Sequence, residues 1–298
     1  MKFLSAQSDN DYHIWQLQVQ MFNFRKFGIE DKAIILLGYN VKIGVSVKAL
    51  EFKDNTSAMV IFLPDERDLS DRLYTQSIRP HLIKQLYLHH PHLLENRTIL
   101  IHDCQILFTK LPSVKKLITK RKIYVSQFHV DPIDQRLLKE MYKMVGISSS
   151  RVDKNKNLIG GIQYLFNSSL NFSYDFWNKI ENDSNSLYKL MLVNSERVNP
   201  SWSAEIWAML WNIWLVGIDT EINSELSFTT GNTPIEELEN KNIYYNDDPL
   251  EDQTKKIFKR KDYIKETPFS SDLSYVDPLF CSSFYAKEII ETGNYLNL

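Results

Sequence analysis

ILIHDCQILF, residues Ile99 to Phe108, is the most informative stretch of this chain. Two apolar runs, Thr98 to Ile101 and Ile106 to Phe108, bracket His102, Asp103, Cys104 and Gln105, and the second leads into Leu111-Pro112. β-Branched apolar residues feeding an acid read as a buried strand that delivers Asp103 to the edge of a sheet. In open α/β sheets that edge is where ligands bind. A plain buried strand ending in a turn satisfies the same residues, so the neighbouring segments carry weight.

On the N-terminal side, residues 1–6 read as a first strand, and Ser5, Gln7 and Ser8 as the approach to a ligand-facing loop. Tyr12 to Phe27 places Trp15, Val19, Phe22 and Lys26 at helical spacing, with Gly28 as its stop. Ala33 to Leu37 and Ala58 to Leu63 are strand-like, so the chain begins strand, helix, strand and is of the α/β class. Arg79-Pro80 opens a helix that carries Leu82, Ile83, Leu86 and Tyr87, with Pro80 suited to its first turn. His89, His90 and His92 follow, but they offer no i,i+4 pair and no companion acid, so they read as a polar loop rather than a metal site.

On the C-terminal side, five basic residues between Lys115 and Lys122 are either a solvated helix end or a phosphate contact, ahead of a strand at Ile123 to Val125. Asp134 to Val145 is an amphipathic helix, and Ser148 to Asn157 reads as a polar loop overhanging a site. Gly160 and Gly161 open an apolar segment where adjacent glycines suggest close backbone approach. A helix is expected over Phe172 to Leu190 and a buried one over Trp202 to Leu215, where Trp207, Leu210, Trp211 and Trp214 recur at steps of three and four. Glu205 falls in its first turn, either as a helix-start carboxylate or as a positioned catalytic acid or base. Beyond it, Leu226 to Phe228 and Asn242 to Asn246 are short strands or ordered loops, Leu250 to Asp262 a charged lid, and Ser282 to Ile290 a last helix.

Composition sets the outer limits. The chain has 298 residues, enough for one large core, and 35 Lys and Arg stand against 37 Asp and Glu, so no overall charge points to nucleic acid. Two cysteines, Cys104 and Cys281, cannot build a disulfide framework. The start, MKFLSAQSDNDY, lacks a signal peptide's apolar core, and no run of about 18 apolar residues suggests a membrane span. A cytoplasmic setting, bacterial or in a virus-infected cell, is the expectation. The 16 Phe, 15 Tyr and 6 Trp suit sugar or base stacking, and equally an aromatic core. GxxxxGK[ST], GxGxxG and GxSxG are all missing, which argues against P-loop enzymes, dinucleotide enzymes and serine hydrolases. One acid at Asp103 is too few for a metal-dependent nuclease or phosphatase.

RPHLIKQ at 79–85, IHDCQILF at 101–108, GGIQYLF at 160–166, WSAEIWAMLWNIWLVG at 202–217, ELSF at 225–228 and NIYYN at 242–246 occur in that order. Together they resemble the plant hydroxyproline arabinosyltransferase and peptidyl serine galactosyltransferase group and its bacterial and viral relatives. The resemblance spans residues 1 to about 290. It implies a GT-A glycosyltransferase fold, a single Rossmann-like nucleotide-binding sandwich over residues 1–298 with a mainly parallel sheet, residues 1–165 serving mainly the donor and 166–298 mainly the acceptor. It implies a nucleotide-sugar donor, with uridine favoured, a glycan or glycoprotein acceptor, and Mn²⁺ or Mg²⁺ held by an Asp-x-Asp element. Asp103 takes the place of the first acid, as donor and metal ligand, but Gln105 stands where the second is expected, and Tyr245 stands where a histidine is usual. Transfer without a metal, helped by Lys or Arg, is therefore a serious alternative. On this reading Glu205 is catalytic, Ser5, Asp103, Gln105, Gly160 and Gly161 bind the donor, and Trp202, Tyr245 and Asn246 lie on the acceptor or phosphate side. A weakened carbohydrate-binding or scaffold protein that keeps the fold is the competing function.

Overall fold

The computed structural model describes residues 1–114, 117, 122–127, 133–155, 159–170, 172–194, 203–247 and 256–298. The chain opens with β1 (Lys2–Ser8), α1 (Asp11–Lys26), β2 (Ala33–Tyr39), α2 (Val47–Asp54), β3 (Met59–Pro64), the single turn α3 (Leu69–Arg72) and α4 (Ile78–His89). It continues through β4 (Ile99–Ile101), β5 (Ile106–Phe108), β6 (Lys122–Gln127), α5 (Gln135–Val145), α6 (Ser149–Asn155) and β7 (Gly160–Phe166). Then come α7 (Tyr174–Val193), α8 (Ala204–Leu215), β8 (Asp219–Ile222), β9 (Phe228–Thr230), the short α9 (Glu237–Asn240), β10 (Ile243–Tyr245) and α10 (Ser282–Leu296).

Among the described residues the main sheet has the order β3-β2-β1-β4-β7-β6-β8, and it is parallel except for β7, which runs against both β4 and β6. The continuous apolar run of β2, with Ala33 to Leu37 fully buried, is what a parallel strand covered on both faces requires. One cover is α1 and α2 over Phe3, Ile35 and Leu100; the other is the helix layer α4, α7 and α8 over Leu4, Ile101 and Tyr164. After β3 the chain returns through α4 to lay β4 against the free side of β1, which makes the β1/β4 boundary the topological switch point of the sheet. The helix α4 is fixed to α7 by His81 Nδ1 and Lys84 Nζ on the Glu181 carboxylate, at 2.8 and 2.5 Å.

The single strand expected over Ile99 to Phe108 is instead two: β4 in the main sheet, and β5 in a second sheet ordered β5-β10-β9. The break falls on the polar residues His102 to Gln105, where the His102 N–H still donates to the Leu4 carbonyl at 3.0 Å but the Asp103 carbonyl turns to a side chain of α1. Gln20 Nε2 donates to the carbonyls of Asp103 (2.9 Å) and Ile106 (3.0 Å), and Asn23 brackets Phe108, accepting from its N–H at 2.9 Å and donating to its carbonyl at 3.1 Å. Gln16, Gln20 and Asn23 share one helix face at steps of four and three, an amide stripe cut to fit one turn.

Three further expectations change. Of the loop read at Ser148 to Asn157, residues 149–155 are instead the helix α6, which Ser148 caps by accepting from the Arg151 N–H and beneath which Val152 and Asn155 are buried, while 156 and 157 lie outside the described residues. The helix read from Trp202 begins at Ala204, and Trp202 lies outside the described residues. Of the lid read at Leu250 to Asp262, residues 250–255 lie outside the described residues, and the remainder is anchored to the core by buried Ile257 and Phe258, the latter packed against Trp15 and Tyr285, with Trp15 Nε1 donating to the Tyr263 carbonyl at 3.1 Å. Among the described residues no helix is long and apolar enough to cross a membrane.

Two predictions concern this clamp. Replacing Asn23 by Ala strands both backbone groups of buried Phe108, so Asn23→Ala should lose about 2–3 kcal/mol, read as a lower urea midpoint at unchanged m. His102 is fully buried, and burial lowers its pKa from 6.5 to about 4, while its Nδ1 sits 2.9 Å from the Asp103 carbonyl. Between those two values the unfolded chain binds the extra proton, so stability should fall as pH drops from 6.5 towards 4, by about 1.4 kcal/mol per pH unit for that proton. His102→Asn, which keeps an amide for the Asp103 carbonyl, should remove about one proton's worth of that slope in urea titrations across the window.

Candidate active site

Asp103 sits just beyond β4 at the switch point, and the groups around it converge on one side chain that the sequence reading passed over, Arg79 in the first turn of α4. Its Nη2 donates to Asp103 Oδ1 at 2.9 Å, its Nη1 to the carbonyl of Ile162 at 3.4 Å, and its Nε lies 3.6 Å from Glu205 Oε1. The side chain is 9% exposed, against 17% for Asp103 and 2% for Glu205. Burial works against the guanidinium, but the carboxylates of Asp103 and Glu205 overcome it and hold the Arg79 pKa above its ordinary value. Burial pushes the Glu205 carboxyl up; Arg79 opposes the rise and Asp103 adds to it.

Glu205 reaches this position from the first turn of α8. Its backbone N–H donates to the Tyr74 hydroxyl at 2.7 Å, so the helix start is tied to a phenol stacked on Tyr188. Its Oε1 has no hydrogen-bond partner among the described residues beyond the ion-pair contact with Arg79. Beside it the buried Tyr164 hydroxyl also lacks one, and burial and then Glu205 raise the Tyr164 pKa, so the phenol stays protonated.

Gly160 and Gly161 hold the floor of the site by leaving room. A Cβ on Gly161 would stand 2.7 Å from Ile206 Cγ2 and 2.9 Å from the Tyr164 hydroxyl, and one on Gly160 would collide with the Ser126 carbonyl and Val125. Here β7 shifts register against β6 between Val125 and Gln127, and the hydroxyl of Ser126 fills the irregularity by donating to the Gly161 carbonyl. The next residue, Ile162, has φ +70°, a left-handed conformation that a β-branched side chain adopts at a cost of about 1–3 kcal/mol. That conformation accompanies the turn of its carbonyl onto Arg79.

On the other side of Asp103 the small sheet brings Gln105, Tyr245 and Asn246 together. The Asn246 N–H donates to the Gln105 carbonyl at 3.0 Å, Tyr245 pairs with Ile106, and Gln105 Oε1 is buried with no hydrogen-bond partner among the described residues. Burial, then the nearby Asp103, raises the Tyr245 pKa, which keeps this phenol protonated. Ser5 is fully buried three residues before the end of β1, where its hydroxyl accepts from Gln7 Nε2 at 3.2 Å; the strand expected to end at residue 6 runs on to Ser8. Trp207 packs on Trp211 in the core, with ring centroids 5.2 Å apart.

Of the residues singled out from the sequence, Asp103 and Glu205 thus meet at Arg79, and Gly161 lies next in the chain to Ile162, whose carbonyl Arg79 reaches. The missed Arg79 did leave a signal: a cation in the first turn of a helix opposes the macrodipole and calls for anionic partners. The divalent ion implied by the resemblance fares less well. Asp103 is committed to a guanidinium, Gln105 is a neutral amide and Tyr245 a protonated phenol, a poor set for Mg²⁺ or Mn²⁺. Among the described residues no three His, Cys, Asp or Glu side chains gather where a metal ion could sit, so the residues present do not fit a protein-held ion.

No protein-family model matches the chain, nor does the sequence of any curated protein. Among solved structures it is similar to a galactosyltransferase, LgtC, in complex with donor and acceptor sugar analogues, at 10% identity over 97% of this chain and 95% of that one, with a TM-score of 0.49. An active-site mutant of LgtC gives 11% identity over the same shares, 97% and 95%, and a TM-score of 0.46. Mouse xyloside xylosyltransferase 1 in its apo form gives 10% identity over 84% of this chain and 99% of that one, with a TM-score of 0.41.

Proposed function

We propose that this chain is a glycosyltransferase of the GT-A type that moves a sugar from a nucleotide-sugar, a UDP-sugar, to a hydroxyl of a glycan or glycoprotein. The observation that carries the reading is the Asp103–Arg79–Glu205 array at the switch point of a mostly parallel sheet, two of whose members, Asp103 and Glu205, the sequence resemblance also assigns to the site. Such an edge takes a nucleotide across the strand ends. Asp103, Gln105, Gly160 and Gly161 then face the donor, with Tyr245 and Asn246 on the phosphate side. Residues 1–165 supply most of the donor side and Glu205 comes from the remainder, although Tyr245 and Asn246 join the donor side from late in the chain.

In the reaction the acceptor oxygen forms a bond to the anomeric carbon. The bond from that carbon to the donor phosphate breaks, and its electron pair leaves with the nucleoside diphosphate. The acceptor proton goes to Glu205, whose carboxylate burial makes a stronger base than one in water. Arg79 offers fixed positive charge close to where negative charge grows on the leaving group. Positioning matters as much as basicity, and the packed α8 start and the bulged β7 hold both partners with little freedom.

A second reading, a carbohydrate-binding protein that keeps the fold with weakened catalysis, is favoured by two observations: Gln105 in place of an acid, and a Glu205 side chain only 2% exposed. Release of UDP from a panel of UDP-sugars separates the two. The wild-type chain should release UDP slowly from at least one donor and faster with a saccharide acceptor. Glu205→Gln should cut that turnover by about 100-fold or more while UDP raises its melting temperature as it does for the wild type. No UDP release from any donor supports the binding protein, and near-normal turnover by Glu205→Gln removes that residue from the mechanism.

A further inference from the structure

We propose that Tyr164 is a positioning residue for the transfer: its phenolic hydroxyl is the hydrogen-bond donor that holds the Glu205 carboxylate in place as the base while Arg79 serves the donor phosphates. The inference rests on the proposed glycosyltransferase reading and deepens it.

The need for such a partner follows from the reach of Arg79. Its Nη2 is given to Asp103 at 2.9 Å and its Nη1 to the Ile162 carbonyl at 3.4 Å, while its Nε stays 3.6 Å from Glu205 Oε1, a charge contact without a hydrogen bond. Glu205 Oε1 is buried and accepts no hydrogen bond among the described residues. Once a diphosphate draws on the same guanidinium, this carboxylate is left with less to stabilise its charge. The other groups around it are of the wrong sign or engaged. Asp103, beyond β4, is a like charge, and the Tyr74 hydroxyl, ahead of α4, already accepts from the Glu205 N–H at 2.7 Å.

Tyr164 is the remaining polar group, and its placement is fixed by the sheet. It lies across from Ile101 on β4 and Val125 on β6, fully buried on the face that α8 covers. Its ring runs back along β7 to Gly161. A Cβ on Gly161 would stand 2.9 Å from the Tyr164 hydroxyl and 2.7 Å from Ile206 Cγ2, so the hydroxyl and the residue next to Glu205 share the space that Gly161 leaves open. The hydroxyl has no hydrogen-bond partner among the described residues. Phenylalanine would fill the same core volume without stranding a buried donor, so the hydroxyl weakens the resting protein and has its use in turnover. Burial and the Glu205 charge keep the phenol protonated, hence a donor. As the nucleotide takes hold of Arg79, Glu205 exchanges its charge contact for a hydrogen bond from Tyr164. No proton changes hands in that exchange, and Glu205 stays able to take the one from the acceptor.

The test compares the full chain with Tyr164→Phe, which removes only the hydroxyl. Carbon-13 NMR follows the Glu205 carboxyl, identified by its loss in Glu205→Gln, through pH titrations with and without UDP. With UDP bound, Glu205 should titrate about one pH unit or more higher in Tyr164→Phe than in the wild type, because a hydrogen bond to the charged form is lost. Without UDP the difference should shrink to about a few tenths of a unit. The acid limb of kcat should move up with the UDP-bound value, and the KM for the donor should stay within about twofold. The urea midpoint of Tyr164→Phe should equal or exceed that of the wild type. A UDP-bound Glu205 titration that Tyr164→Phe leaves in place overturns the proposal, as does a lowered urea midpoint, which marks the hydroxyl as structural. A wild-type chain that binds UDP but turns over no nucleotide-sugar overturns the glycosyltransferase reading alone, because the titrations need no turnover. One that binds no nucleoside diphosphate overturns both.

Discussion

A guanidinium taken out of water has to be matched where it is buried, and in this protein that demand organises the site. Arg79 meets Asp103, Glu205 and the Ile162 carbonyl, which arrive from three other stretches of the chain. Each partner is held by structure that has nothing to do with the charge: α4 by the Glu181 network, the Asp103 turn by the amides of α1, the start of α8 by Tyr74, and Ile162 by the bulge against Ser126. An unmatched charge here would cost several kcal/mol, so the four supports are mutually dependent. The converse also holds for Glu205, whose carboxyl burial pushes up and the guanidinium pulls back.

The amide stripe on α1 does for the backbone what Arg79 does for the side chains. A polar turn between two apolar strands would ordinarily be pushed to the surface, because its N–H and carbonyl groups need partners. Gln20 and Asn23 provide them inside, and the chain can thereby leave one sheet and enter another without passing through solvent. Asp103 ends up at the edge of the main sheet with only 17% of its side chain exposed, a position that an ordinary surface turn could not give it.

Much of the frame was legible in the sequence because it rests on local pattern. The apolar runs of β1 to β4 and β7, the helical spacing of Trp15, Val19 and Phe22 in α1 and of the α8 tryptophans, and the Gly160-Gly161 pair all mark what they become. Direction was not legible: GGIQYLF reads the same whether it lies parallel or antiparallel, and only its placement between β4 and β6 settles the matter. The division of ILIHDCQILF between two sheets depends on amides 83 and 85 residues upstream of their partners, beyond any local window. Arg79 looked like an ordinary helix start because its partners lie at positions 103, 162 and 205. Residues 148–155 were misread as loop because their polarity hid a serine cap and one anchoring valine.

The small sheet also sets an order of events for the nascent chain. Its β5 and β10 are more than a hundred residues apart, so closing that pair carries a large entropic cost that local helices and the β1–β2–β3 unit do not bear. The Arg79 half of the site can gather once α8 docks, whereas Gln105, Tyr245 and Asn246 meet only when the C-terminal quarter has arrived. A chain stalled short of β10 would therefore carry a structured main sheet with an unfinished nucleotide edge, and the row of backbone groups on β5 would stand open to strand pairing with other chains.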